Sequence, residues 1–344
     1  MNKYYIKFGI SKNCNAGSKA IRDIMFLLES KDYKAVLALP TGVNKLFKLI
    51  DIPILFLTLL FRVRKNGIIL YIVPSNFRRI RFLKFIRRII GFKLVCFIND
   101  VESLRMGKPQ EYARLEIESI SCADIVLAPN ENSIRILQNE YNLTNHLIPV
   151  GVWDYLNNHE HVQSNSTIES TYHQQSVAFA GNLQKSSFIK ELHLVHLNFK
   201  IWGSGREKRH KDNIDFMGSE TPDKLIGSIT ECSWGLVWDG DSIHSCSGLM
   251  GSYLRFNNSH KCGLYLCAGI PVIVWCESGM ASFVLRHRVG ICVSSLQEAA
   301  EIISQMNEET YCMYQRNAQS VAQSISKGKF FLQALNKAEK LKIE

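Results

Sequence analysis

Four short glycine-bearing turns and one dense polar stretch carry most of the chemistry this 344-residue sequence offers. Gly181-Asn182-Leu183, Gly203-Ser204-Gly205, Gly218 and Asp239-Gly240-Asp241 each follow a short apolar run that reads as a strand. A glycine at such a place lets backbone N–H groups approach a phosphate with no Cβ in the way. The stretch from Tyr253 through Arg255, Asn257, Asn258, Ser259, His260 and Lys261 then leads into an apolar helix. Asn258 or Ser259 is placed to cap that helix, whose N-terminus offers N–H groups and a positive dipole end to a diphosphate. Lys261 adds a full charge. Each turn alone reads more readily as a plain tight turn, and the cap alone as a cap. Their number in one half of the chain points to a nucleotide.

Carboxylates supply the second kind of chemistry. Asp100 and Glu102 follow the strand-like run 93–98, with Arg105 close behind, and a carboxylate facing a cleft can take a proton from an attacking hydroxyl. The bland alternative is a pair of acids favoured by a helix N-terminus. Asp239 and Asp241 have the spacing of a divalent-metal pair on a diphosphate. A helix dipole with cations does the same work, and no metal or other cofactor is expected.

These residues need elements to hold them. Strand-like runs at 4–10, 35–39, 67–73, 93–98 and 125–128 alternate with helical patterns at 17–29 and 133–141. After a polar stretch without apolar periodicity, strands are expected at 176–180, 199–202, 214–216, 234–238, 271–275 and 290–293. Helices are expected at 260–267, at 296–306 and from 308 onward. Continuous apolar strands separated by helices indicate parallel, doubly wound sheets. The expected organisation is an α/β chain of two Rossmann-like domains with a cleft between them: 1–155, a linker at 156–175, 176–318, and a C-terminal helix over 319–344 packing back towards the first domain. In such sheets ligands bind beyond the carboxyl ends of strands, where the glycine turns lie.

Composition narrows the class. Hydrophobic residues at 46% and charged residues at 21% suit a globular protein. The longest uncharged apolar run, 52–61, is too short to span a bilayer, which needs about 20 residues. The N-terminus lacks an apolar core of signal length, and the ten cysteines show no CxxC spacing, so a cytoplasmic chain with reduced thiols is expected. Lys and Arg outnumber Asp and Glu by 41 to 31. Between Ile52 and Asn99 there is no acid but ten bases, from Arg62 to Lys93. On a helical wheel Phe82, Leu83, Ile86, Ile89 and Ile90 share one face, with Arg81, Lys84, Arg87 and Arg88 opposite and Arg79 the exception. That is either a solvated core helix or a surface for anionic lipid headgroups. Nucleic acid is not expected, because no recognition motif accompanies the charge.

The run from Gly235 through Trp238-Asp239-Gly240-Asp241-Ser242, Cys246-Ser247-Gly248 and Tyr253-Leu254-Arg255-Phe256-Asn257-Asn258 to His260-Lys261 resembles bacterial galactofuranosyltransferases of O-antigen assembly. It is also similar to glucosyltransferases that extend O-glycans on serine-rich adhesins. The likeness includes Ala16-Gly17-Ser18-Lys19-Ala20, Asn99 to Arg105, and Phe179 to Leu183. The resemblance implies a GT-B fold and a UDP-sugar donor on the second domain, at Gly181, Asn182, Gly203, Ser204, Gly205, Asp239, Tyr253, Asn257, Asn258 and Lys261. It implies an acceptor on the first domain, near Gly17, Lys19 and Arg105, with no metal. It further implies transfer of galactofuranose with inversion onto a lipid-linked O-antigen or polysaccharide intermediate, with Asp100 as general base and Glu102 as second choice. Many retaining GT-B enzymes carry two glutamates where this chain has Phe256 and Leu264, and the histidine often found before the aspartate is Asn99. The implied setting is the inner face of the cell membrane, approached through the basic stretch 62–93; a homo-oligomer is compatible with it. The alternatives are glucosyl transfer from UDP-glucose to a protein-linked glycan, and a non-catalytic glycan- or membrane-binding relative.

Overall fold

The computed structural model describes residues 2–7, 16–37, 45–74, 77–157, 175–205 and 213–342. The chain divides by its contacts into two units. Of the described residues, unit 1 takes 2–7, those within 21–150 and those from 331 onward; unit 2 takes 16–20 and those within 151–330.

Unit 1 is built on six parallel strands in the order β2-β1-β3-β4-β5-β6. These are β1 (Lys3–Lys7), β2 (Lys34–Leu37), β3 (Ile68–Val73), β4 (Lys93–Ile98), β5 (Ile125–Ala128) and β6 (His146–Pro149). Strands β3 and β5 are buried at every position, the pattern of a sheet covered on both faces. Helices α1 (Ala16–Ser30), α2 (Lys45–Arg62), α3 (Phe77–Ile90), α4 (Glu102–Met106), α5 (Gln110–Ile120) and α6 (Glu131–Asn139) connect them. Asn130 caps α6 in a reciprocal box with Ser133, two donors satisfied at one helix end.

The structure gives an element to one run that the sequence left without one, and shifts the buried face of another. The apolar run 52–61 is the body of α2, an 18-residue helix that carries Pro53 in its interior. In α3 the buried residues are Arg79, Ile80, Leu83 and Ile86, so Ile89, expected inside, lies outside together with Phe85. Arg79 lies on the buried face with Leu83 and Ile86, and its guanidinium donates to Asp51 of α2 through Nε–Oδ2 and Nη2–Oδ1 contacts, both 2.7 Å. No helix among the described residues is long and apolar enough to cross a membrane.

Unit 2 has six parallel strands in the order β12-β11-β10-β7-β8-β9. They are β7 (Ser176–Ala180), β8 (Asn198–Trp202), β9 (Ile214–Gly218), β10 (Trp234–Val237), β11 (Val272–Trp275) and β12 (Gly290–Val293). The order reverses between β7 and β10, the doubly wound arrangement whose ligand crevice opens where the winding changes direction. Around this sheet lie α7 (Pro222–Ile229), α8 (Gly248–Tyr253), α9 (His260–Cys267), α10 (Ala281–His287), α11 (Leu296–Gln305) and α12 (Glu308–Ile325). The last helix, α13 (Lys329–Lys340), belongs from Phe331 onward to unit 1, where Phe331 meets Phe97 of β4 edge-on. Lys93 Nζ donates to the carbonyls of Ala338, Glu339 and Leu341 and so closes the C-terminal end of α13.

Candidate functional site

The loops that leave β7 and β10 sit side by side at the reversal point of unit 2, because those two strands pair directly. Gly181 follows β7, and its N–H donates to the Trp202 carbonyl at 3.0 Å. Gly203 follows β8 with φ +154°, and a Cβ there would lie 2.0 Å from the Gly181 carbonyl oxygen. The two turns are therefore in backbone contact, and only glycine permits the approach. Asn182 folds its side chain onto the Gln184 N–H, the Leu183 N–H donates to the Ser204 carbonyl, and Gly205 lies against Gln184.

Lys261 reaches this place from the second position of α9. Its Nζ donates to Asp239 Oδ1 at 2.7 Å and to the Trp238 carbonyl at 3.3 Å, and lies 5.2 Å from the centre of the Phe179 ring. An ammonium has three donors, so two protein acceptors leave one to give. Its stem runs beside Gly181, where a Cβ would come within 3.2 Å of Lys261 Cε. Asp239, expected to meet the donor, is thus the counter-ion of Lys261. Asp241, two residues on, accepts from the Ser187 hydroxyl at 2.7 Å. The loop between them is drawn tight at Gly240, φ +111°, where a Cβ would stand 2.2 Å from the Ser247 carbonyl.

The polar stretch before α9 is largely internal. Tyr253 is buried and stacks on Phe256 at 5.9 Å, and Asn258 is fully buried. Ser259 is the N-cap residue, and its side chain makes no cap hydrogen bond. Asn257 Oδ1 is buried with no hydrogen-bond partner among the described residues. A buried acceptor left bare costs about 1–3 kcal/mol, which a donor group on a ligand removes. Arg255 stacks 5.0 Å above the Trp275 ring and pairs with Glu277.

One supporting residue has no motif to announce it. Tyr265 of α9 is fully buried and its hydroxyl accepts from the Ala180 N–H at 2.8 Å, one residue before Gly181. Gly235 of β10 makes the room, since a Cβ there would fall 2.2 Å from Tyr265 Cγ. The glycine turn, β10 and α9 are locked together through that ring. Burial pushes the phenol well above its usual range, so it stays protonated.

In unit 1 the acids after β4 form a compact cluster. Asp100 pairs through Oδ2 with Arg105, and Glu102 Oε2 accepts from the Tyr112 hydroxyl at 2.6 Å. Glu116, buried on α5, accepts the backbone N–H groups of Glu102 at 2.9 Å and Ser103 at 2.8 Å, and so caps α4. Its pKa is raised, by desolvation first, against the lowering effect of those hydrogen bonds. Glu116 and Tyr112, unforeseen from spacing, hold Glu102 in place.

The residues expected on the acceptor side separate. Arg105 stays with Asp100 in unit 1. Gly17 is exposed on the first turn of α1, and Lys19 belongs by its contacts to unit 2. Lys19 is buried: Nζ donates to the Leu156 carbonyl at 2.8 Å, pairs with Asp223 at 3.3 Å and lies 4.7 Å over the Tyr155 ring.

Comparison with known proteins places this geometry. The model of the glucosyltransferase 3-like N-terminal domain matches residues 3–150, and that of the C-terminal domain matches residues 177–338. The chain is 30% identical over 329 residues, 93% of each sequence, to the β-1,6-galactofuranosyltransferase WbbI of Escherichia coli K12. It is 25% identical to glucosyltransferase 3 of Streptococcus parasanguinis, over 71% of this chain and 69% of that one. Among solved structures, Anabaena Alr3699/HepE in complex with UDP superposes with a TM-score of 0.61 at 14% identity, covering 99% of this chain and 100% of that one. Sucrose-phosphate synthase of Thermosynechococcus elongatus gives 0.63 at 10% identity over 98% of each chain. Both likenesses speak to the fold, which is GT-B.

Proposed function

The chain belongs to the glucosyltransferase 3-like family of glycosyltransferases, and we propose that it moves galactofuranose from UDP-galactofuranose, with inversion, onto a sugar hydroxyl of a lipid-linked O-antigen or polysaccharide intermediate. The observation that carries the reading is the meeting of Gly181, Gly203, Asp239 and Lys261 at the reversal point of the second sheet. Supporting the choice of sugar is the name of the 30%-identical relative.

In this reaction the acceptor hydroxyl gives its proton to Asp100, with Glu102 the second choice, while its oxygen attacks the anomeric carbon opposite the departing UDP. The anomeric C–O bond breaks and UDP leaves with the electron pair. Lys261 and the N-terminus of α9 take up the charge that develops on the diphosphate. Arg105 orients the Asp100 carboxylate. The proposal routes no step through a metal: Asp239 is engaged by Lys261 and Asp241 by Ser187. Gly181, Asn182, Gly203, Ser204, Gly205, Tyr253, Asn257 and Asn258 frame the donor, with the bare Asn257 Oδ1 accepting from it. A lipid carrier sets the reaction on the cytoplasmic face of a membrane.

A second reading, glucosyl transfer to a protein-linked glycan, is favoured by the relatives called glucosyltransferase 3, at 25% and 26% identity. The test offers UDP-galactofuranose, UDP-galactose or UDP-glucose with a synthetic lipid-linked acceptor and measures UDP release and product mass. Turnover with UDP-galactofuranose alone, giving a product of inverted anomeric configuration, is the expected result. Turnover with UDP-glucose alone transfers the assignment to the second reading. UDP binding without turnover on lipid-linked or protein-linked acceptors would mark a non-catalytic relative.

A further inference from the structure

An outward stripe of α2 is as apolar as its buried face. Ile50, Ile54, Leu57 and Phe61 recur at intervals of four, three and four, so they line one side of the helix, and all are exposed, Phe61 to 85%. Leu55 and Leu59 on the opposite side are fully buried. A helix apolar all round belongs in an apolar environment on both sides, not against water. The neighbouring α3, in edge contact through Phe56 and Phe82, adds exposed Phe85 and Ile89 at 61% and 64%.

The charges that α2, α3 and the chain between them add beside these side chains are basic, and the nearby carboxylate of Glu118 is taken by Arg81 and Arg114. Arg62 and Arg64 follow Phe61 and are exposed, and Arg88 precedes Ile89 on the same exposed turn. None of the three has an acidic partner among the described residues. From residue 52 to residue 99 the sequence contains no Asp or Glu. A second copy seated face to face would set arginines against arginines with no carboxylate from this stretch between them, an arrangement that costs free energy. An anionic lipid leaflet satisfies both features, since headgroup phosphates take the arginines while the aromatic and aliphatic tips enter the acyl boundary.

We propose that the outward faces of α2 and α3 form a peripheral docking surface for an anionic phospholipid leaflet, with Leu57, Phe61, Phe85 and Ile89 inserting and Arg62, Arg64 and Arg88 on the headgroups. The proposal deepens the reading of a lipid-linked acceptor and rests on it for its purpose, but its test does not depend on turnover. Unlike the linear count of bases, it excludes Arg79, Arg87 and Lys93, whose charges are spent inside the fold.

The full chain is sedimented with vesicles of phosphatidylethanolamine and phosphatidylglycerol at 3:1, and with phosphatidylcholine vesicles, in about 0.1 M salt. Binding to the first and not the second is expected. Leu57→Ser/Phe61→Ser and Arg64→Glu/Arg88→Glu should each weaken it at least tenfold, since one base near the surface is worth roughly fivefold. These side chains are exposed, so melting temperature and UDP affinity should stay at wild-type values in both variants. Absence of binding to the anionic vesicles overturns the proposal. So does a stable oligomer in analytical ultracentrifugation that Leu57→Ser/Phe61→Ser dissociates, which would make a second copy the occupant. Failure to bind UDP in the wild type refutes the donor reading and leaves the vesicle result standing.

Discussion

Replacing Lys261 by Met asks whether a single ammonium carries the departing diphosphate. Methionine keeps an apolar stem of similar reach along Gly181 and over the Phe179 ring and removes the charge, so packing is nearly conserved. At about 4 Å and an effective dielectric near 20, two unit charges interact by about 4 kcal/mol. Asp239, 2.7 Å away, neutralises part of that field in the empty protein, and the side chain is 15% exposed. The remaining stabilisation of the leaving group should therefore lie near 3 kcal/mol, the range in which loss of one preorganised donor lowers kcat by about 10²–10³. The cost to the fold is small by comparison, because the Asp239 carboxylate left behind is partly solvated. UDP release under saturating donor and acceptor measures the first effect and a thermal melt the second. Asp239→Asn makes the complementary case: it keeps an acceptor for Nζ and removes the competing charge, so UDP affinity should hold or rise. The reasoning is refuted if Lys261→Met keeps kcat within about threefold of wild type. It is refuted equally if activity lost on heating tracks the melting curve and returns in full on cooling, which would make Lys261 a structural tie.

Four further outcomes are expected. If Asp100 is the base, Asp100→Asn lowers kcat by about 10²–10⁴ with UDP affinity unchanged, while Glu102→Gln acts through placement and costs less; the reverse order in a steady-state comparison would exchange their roles. Gly203→Ala must move the Gly181 carbonyl or leave φ +154°, so it should lower stability by about 2–4 kcal/mol in urea unfolding and weaken UDP binding with it. Asp51→Leu leaves the Arg79 guanidinium buried opposite an apolar group and should cost about 3–5 kcal/mol, most of which Asp51→Leu/Arg79→Leu recovers. Burial lowers the His287 pKa, with Arg286 adding to the effect. The unfolded chain therefore takes up that proton first as pH falls through about 6.5, and stability present above that pH is lost towards acid. Melting temperature should drop between pH 7.5 and 5.5, and His287→Gln should flatten that part of the profile.

Strands buried on both faces were plainly legible. The runs 93–98, 125–128 and 176–180 announce β4, β5 and β7 because nothing but apolar side chains suits a strand with helices above and below. Strand β6, His146–Pro149, carries no such signal, since at the sheet edge only one of its four residues is buried. Helix α2 was hidden by its own composition: with both faces apolar it has no polar side to set a period, and Pro53 lies in its interior. Of the site, residue types could locate the glycine turns and Lys261, because a close backbone approach and a cation at a helix start are local properties. They could not locate Tyr265, Gly235, Glu116 or Tyr112, whose contributions are contacts across the sheet or between helices. Nor could they show that Lys19 is consumed by Leu156, Asp223 and Tyr155, residues more than a hundred positions away.

The basic stretch shows why a charge count is a poor guide to a partner until a fold divides it. On the wheel, α3 seemed to set an apolar face inward against a cationic face outward, which is the pattern of any soluble helix. The fold divides it differently: Arg79, on one face with Leu83 and Ile86, is paired in the core with Asp51 of α2, while Phe85 and Ile89 lie in the open. Arg87 goes to Asp124, Arg81 to Glu118 and Lys93 to the end of α13. What stays exposed is a smaller set of arginines intermixed with large apolar side chains. Mixed surfaces of that kind are costly in water on the apolar count and repel one another on the charge count, and a leaflet of anionic lipid answers both at once. The inference to a membrane thus comes from the residues the fold leaves over, and a chain with the same ten bases all paired would not support it.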